Sequence, residues 1–432
     1  MSESPESLID KKDSNLFTII KLFIVTGGAQ ILIQAIGFIS GIMVIRLLSP
    51  QEYAYYVLAN TVLGTMVVLA DGGVSSGVMS QGAKVWQDKI KLGLVFSTGI
   101  HLRKRFAVFS LILSTPILVY LLLSNGASIP ATILICVTLI PAFYAGLWDS
   151  LLVIIPQLHQ SIVPLQKNQI MVGILRLVLS GLSLIIFPWS FVAILAGGLP
   201  RIYGNIKLRK LNKEHITETE EVDPVVKKDI LKIVKKFMPG AIYYSLSGQI
   251  TMWLLSVFGN TTSIAQIGAL GKFGMILTLV TAITSTLVIP RFARLPIYKN
   301  NLIARYFQIL SGLFLLMFLV IVVTYLFPNQ ILWILGGDYK DLQYELILCI
   351  LGACLGVSAD IAFGLLSSRG WMYNPILYIS VNILSIIALA LTLDITTLRG
   401  ALWMNVVIGS VLLLMNIVIF LYNSFKTKHK TA

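Results

Sequence analysis

Charge is scarce in this chain. Asp, Glu, Lys and Arg together make up 12% of its 432 residues, about half the share usual in a soluble domain. A soluble protein with an ordinary solvated surface is therefore excluded. Cysteine is rare as well. Cys136, Cys349 and Cys354 all fall inside apolar runs, and no CxxC or zinc-type spacing relates them, so they read as small apolar packing residues. The four histidines are scattered, and no nucleophile has a partner base at a recognisable spacing, so no catalytic residue, enzyme site or metal centre is expected. The segment "GALGK", 268–272, lacks the wider G-x-x-x-x-G-K-[ST] spacing of a phosphate loop, which removes ATP hydrolysis as an energy source. No cofactor is implied beyond a coupling H⁺ or Na⁺.

What the chain has in place of charge is apolar length. Apolar residues account for 56% of it. Windows of about 20 residues, the length that crosses a bilayer as helix, recur near 22–45, 55–79, 106–123, 130–155, 168–187, 189–206, 238–258, 263–290, 306–327, 343–366, 375–393 and 400–422. The expected fold class is an all-α integral membrane protein of about twelve transmembrane helices. The opening "MSESPESLIDKKDSN" has no apolar core and reads as a cytoplasmic tail rather than a signal peptide. With that tail inside, only Arg46, Lys340 and Arg399 of the 33 Lys and Arg residues face outward, and only Arg176 and Lys272 fall deep within spans. The net charge of +14 is thus a positive-inside topology signal, not a nucleic-acid surface, and both termini are expected in the cytoplasm.

The longest hydrophilic stretch, 207–237, divides the chain into an N-terminal lobe, 1–206 (helices 1–6), and a C-terminal lobe, 238–432 (helices 7–12). Six spans on each side enter the membrane in the same sense, as in transporters built from parallel repeats. A shift of about 212 residues lays "ANTVLGTMVVLA" over "GKFGMILTLVTA", a faint internal repeat. The basic half of the middle stretch, "KKDILKIVKKF", is expected to anchor to anionic lipid. The segment 84–106 has nine mostly apolar residues between basic clusters. It reads either as an interfacial helix or as the lower part of span 3.

A charge near the bilayer centre costs at least ~2.5–3.5 kcal/mol, so each one should face protein or water. Arg176 and Lys272 lie well inside spans 5 and 8. Either they snorkel to the interface or they face a water-filled interior. Asp71, Asp149 and Asp360 lie about 16, 19 and 17 residues into spans 2, 4 and 10, hence at similar depth in the cytoplasmic half. They form an inward gate or coupling-ion site, or else they pair with neighbouring Lys and Arg. In span 1, Thr26, Gln30, Gln34, Gly37 and Gly41 share one helical face, and Ser245, Gln249 and Ser256 repeat the theme in span 7. Helix packing alone would produce such stripes; as a pair in both halves they suggest the polar lining of a shared cavity.

Four segments carry a family resemblance: "RLLSPQEYAYYVLANTVLGTMVVLADGGVSSGV" (46–78), "GALGKFGMILTLVTAITSTLVIPRFARL" (268–295), "WILGGDYKDLQYELILCILGA" (333–353) and "ITTLRGALWMNVVIGSVLLLMN" (395–416). In order and spacing they resemble the Wzx-type polysaccharide flippases, a branch of the superfamily that includes the MATE exporters and the lipid II flippase. The resemblance implies two six-helix lobes around a central polar cavity that opens to each side in turn. Its implied cargo is an undecaprenyl-pyrophosphate-linked oligosaccharide, such as an O-antigen repeat unit of lipopolysaccharide, moved across a bacterial inner membrane. Membrane lipids and the polysaccharide polymerase machinery are the implied partners, and nucleic acid is not. It also assigns head-group binding to the cavity cations, here Arg176 and Lys272. Two rivals remain: a MATE-like exporter of small cations, which would want a deep carboxylate, and a membrane polymerase, which would want a large external loop.

Overall fold

The computed structural model describes residues 27–217, 219–295, 299–371 and 375–428, with backbone alone at a few positions that include Ser245. Thr26 lies outside the described residues. Every regular element is helical. The first half comprises α1 (Gly27–Leu47), α2 (Pro50–Asp71), α3 (Val74–Val85), α4 (Lys89–Ser124), α5 (Ile129–Leu152), α6 (Ile154–Leu158), α7 (Ile162–Ile186) and α8 (Ser190–Asn212). The second half comprises α9 (Pro224–Ser247), α10 (Ile250–Phe258), α11 (Thr261–Ile283), α12 (Ile289–Ala293), α13 (Lys299–Leu326), α14 (Pro328–Leu335), α15 (Gln343–Ser367), α16 (Pro375–Thr392) and α17 (Leu398–Lys428). Among the described residues nine helices are long and apolar enough to cross a membrane. The other passes of the twelve are α8, which carries charge, α9–α10, which is broken, and the short α16.

Local chemistry sets the boundaries. The Ser49 hydroxyl accepts from the Glu52 amide and Pro50 opens α2; a side-chain acceptor and a proline with preset φ both favour a helix start. Ser128 caps α5 and Asn260 caps α11 in the same way. Asp88 accepts from the Ile90 and Lys91 amides to start α4. From there α4 runs unbroken for 36 residues, about 54 Å at the helical rise. That settles the reading of 84–106: from Lys89 onward the basic segment is the lower part of span 3, not a separate interfacial helix. The hydrophilic middle is also mostly helical. Only 213–223 separates α8 from α9.

Each half is organised around one tightly packed pair, α5 with α8 and α15 with α17. In the first, the Asn205 amide donates to the Ala145 carbonyl at 2.8 Å and Gly198 lets α8 approach Ala142. In the second, Asn416 donates to the Ala359 carbonyl at 3.0 Å and Gly409 sits against Leu355. Gly198 and Asn205 relate to Gly409 and Asn416 by an offset of 211 residues, one short of the shift that exposes the repeat in sequence. Small residues at helix crossings, with an amide bonded across them, suit packing in lipid, where no hydrophobic drive holds helices together.

One helix crosses between the halves. The first turns of α9 pack on α2, α3 and α4, with Ile230 and Val234 buried beside Val74, Val78 and Val95 and Ile230 seated on Gly77. Span 2 is itself broken at Gly72 and Gly73, whose φ values of +49° and +94° only glycine adopts without strain.

A Cβ at position 198 would lie 2.9 Å from the Ala142 Cβ and 3.0 Å from its Cα, whereas a Cβ at 197 meets nothing within 4 Å. Gly198→Ala should therefore cost about 1–3 kcal/mol of stability through overpacking. Gly197→Ala should be neutral or slightly stabilising, because alanine favours helix. Thermal melting of the two purified variants in one detergent tests this; equal melting points would refute the close-packed crossing.

Candidate functional site

Between the halves lies a cavity of about 320 Å³, whose lining includes Asn60 on α2, Arg176 on α7, Arg201 on α8, Gln249 between α9 and α10, and Lys272 on α11. These helices start from different ends, yet the polar residues meet at one level. Each is about ten residues, or 15 Å, from the helix end opposite the basic face. Two of the residues that the sequence marked as deep cations, Arg176 and Lys272, are thus brought to one chamber, together with Gln249 from the second polar stripe. Gly41, the last member of the first stripe, lies under the Lys272 stem, where a Cβ would be 3.3 Å from its Cδ. Gln30 is exposed and Gln34 half-buried, and neither lines the cavity.

Arg201, which the sequence does not single out as a deep charge, also reaches the central chamber, and its Nε lies 3.8 Å from the Asp149 carboxylate. Among the described residues no Asp or Glu lines the chamber itself, while Arg176, Arg201 and Lys272 all do. A cationic site of this kind attracts an anion, and guanidinium groups match phosphate oxygens bidentately.

The three acids part company. Asp71 ends α2 and caps α3: its carboxylate accepts from the Gly73 and Ser75 amides at 3.3 and 3.2 Å and from the Ser75 hydroxyl at 2.6 Å. It also pairs with Arg103 Nη2 at 3.2 Å. Arg103 is 2% exposed and donates to Ser75 as well. Nothing in "HLRKRF" distinguishes Arg103 from its solvated neighbours except helical phase, which is visible only once 89–124 is known to be one helix. Asp149 pairs with Arg201. Asp360 is exposed and makes no ion pair among the described residues. None of the three lines the central cavity.

The end of the bundle opposite the basic face is sealed across the halves. Arg46 donates to the Ile334 and Trp333 carbonyls, the first at 2.9 Å, with its guanidinium over the Trp333 ring. The Asn125 amide donates to the Ser256 carbonyl, and the Thr261 hydroxyl donates to the Asn125 carbonyl. Below these, Val57 of α2 presses on Gly268 of α11.

No family model matches the sequence, and no curated protein matches it. Solved structures do. An inward-facing multidrug-resistance MATE transporter of the MOP superfamily aligns over 92% of this chain and 96% of its own, at 18% identity and a TM-score of 0.71. An outward-facing MATE transporter of the same superfamily covers 96% of both chains at 16% identity and a TM-score of 0.57. A MOP superfamily transporter from Pyrococcus furiosus, described as having a binding pocket of reverse polarity and a different function, covers 96% of both at 16% identity and a TM-score of 0.55. The chain is a multi-pass, all-helical membrane protein with the fold of these MATE and MOP superfamily transporters.

Proposed function

We propose that this protein is a flippase of the Wzx type. It carries an undecaprenyl-pyrophosphate-linked oligosaccharide from the cytoplasmic to the periplasmic leaflet of a bacterial inner membrane by alternating access. The observation that carries the reading is the central chamber with Arg176, Arg201 and Lys272 and, among the described residues, no carboxylate in its lining. A pyrophosphate needs its oxygens met by well-placed cations. A small cationic drug would be repelled by them, which argues against the exporter reading despite the shared fold. Asn60 and Gln249 supply amide partners for sugar hydroxyls.

The positive-inside rule places the basic end in the cytoplasm, so the sealed end faces the periplasm. An opening towards the cytoplasm is also supported by the higher TM-score to the inward-facing transporter, 0.71 against 0.57. Of the acids, Asp360 suits coupling to H⁺ or Na⁺ best, since it is solvent-accessible and unpaired among the described residues. Asp149 and Arg201 form a link that a bound anion can compete for. A polymerase on the outer face would consume the product.

In the native host, deletion of the gene should trap single lipid-linked units on the cytoplasmic leaflet; units that still reach the outer face would overturn the proposal. Complementation with Arg176→Gln or Lys272→Gln should lower surface polysaccharide at least tenfold at equal expression, given about 1.5–3 kcal/mol for a charged hydrogen bond. Asp71 separates packing from transport. Asp71→Asn keeps a capping oxygen and loses the ion pair, whereas Asp71→Ala loses the cap as well, a further cost of about 1 kcal/mol. Melting temperature should fall in that order, and transport by the Asn variant should persist wherever it is folded. A folded, well-expressed Asp71→Asn that transports nothing would make Asp71 a gate instead.

A further inference from the structure

A second recess lies away from the central chamber, on the membrane-facing side of α4 and α5. At the basic end a cavity of about 520 Å³ is lined by His101 and Lys104 of α4, Trp148 of α5, Arg209 of α8 and Glu220 of the following loop. Lys104, Ile100 and Trp148 also line the top of a second hollow of about 370 Å³. That hollow continues down the α4–α5 crease past Val108, Ile140 and Tyr144, all more than half exposed. The two form one groove with a cationic head and an apolar tail about 10 Å long, the roughly seven residues of α4 from Lys104 to Leu111 at the helical rise. It shares no residue with the central chamber. Ala142 faces that chamber while Ile140 and Tyr144, on the opposite face of α5, face the groove.

We propose that this groove holds one anionic glycerophospholipid of the inner leaflet as a resident ligand, its phosphate at Lys104 and Arg209 and one acyl chain in the α4–α5 crease. Charge complementarity carries the assignment. Lys104 and Arg209 make no ion pair among the described residues, although both are exposed at the mouth. Arg209 is held in place with its guanidinium 4.1 Å from the Trp148 ring centroid, and Trp148 is braced in turn by Tyr144. An aromatic at head-group depth that orients an arginine, above an exposed apolar crease, matches a phosphodiester with a chain attached. It does not match a free anion, which has no use for the crease. Glu220 stands exposed at the same mouth and weakens the attraction without filling the groove.

Native mass spectrometry of the full chain in an uncharged detergent tests this with three probes: dioleoyl phosphatidylglycerol, dioleoyl phosphatidylcholine and inorganic phosphate. One phosphatidylglycerol should be retained most tightly. The double variant Lys104→Gln/Arg209→Gln should weaken it about thirtyfold, the worth of two basic residues at a lipid surface. Ile140→Trp should weaken it from the apolar side even if the double variant misfolds, and Glu220→Gln should tighten it. Lys84→Gln/Lys91→Gln, on exposed basic residues outside the groove, should change nothing. Phosphatidylcholine retained equally well, phosphatidylglycerol displaced by phosphate alone, or both groove variants binding like the parent chain would overturn the proposal.

Discussion

The structure turns on the cost of holding charge where water is scarce. A charged group inside the hydrocarbon region must be paired, capped, or turned towards an aqueous chamber, and six deep charges each take one of these routes. Asp71 and Arg103 neutralise one another, and Asp71 spends its remaining lone pairs on the amides that open α3. Asp149 meets Arg201 at the edge of the chamber. Arg176 and Lys272 turn into it. The positions of α2, α4, α5, α7, α8 and α11 are all constrained by these choices, because displacing one helix would leave a partner charge in lipid.

The same constraint explains the breaks in the spans. Span 2 parts at Gly72–Gly73, and span 7 parts between Ser247 and Ile250. Interrupted backbone is tolerated at membrane depth only where protein or water satisfies the freed groups. At the first break Asp71 does so, accepting from the Gly73 and Ser75 amides. At the second, Gln249 sits beside the chamber. Span 2's break and span 7 meet at the contact between the halves: α9 packs on α2 and α3, and its Met238 side chain abuts Gly72.

Apolar length and charge placement made the helical, multi-span architecture legible in sequence, because both act along the chain. The depth of Arg176 and Lys272 was legible for the same reason. Which side of a helix faces which neighbour was not, since azimuth depends on packing partners far away in sequence. Arg103 shows the difference: it lies in a run whose basic neighbours are exposed, and only tertiary contact distinguishes the buried cation. The acids show it as well: equal depth left a shared gate and pairing with basic neighbours both open, and the contacts pair Asp71 with Arg103 and Asp149 with Arg201 while Asp360 has no ion pair among the described residues. Gln30 and Gln34 obey the helical spacing of a lining stripe yet stay off the chamber.

The repeat makes the asymmetry of the chamber intelligible. Gly198, Arg201 and Asn205 follow one another on α8 at the spacing of Gly409, Leu412 and Asn416 on α17. The glycine and asparagine do packing work that both halves require: close approach, and a bond to the carbonyl of Ala145 or Ala359. The position between them is free to differ, and there the first half has an arginine and the second a leucine. Asp149, four residues beyond Ala145, gains a cation from this difference, while Asp360, next to Ala359, gains none. The packing frame is therefore symmetric and its charge is not.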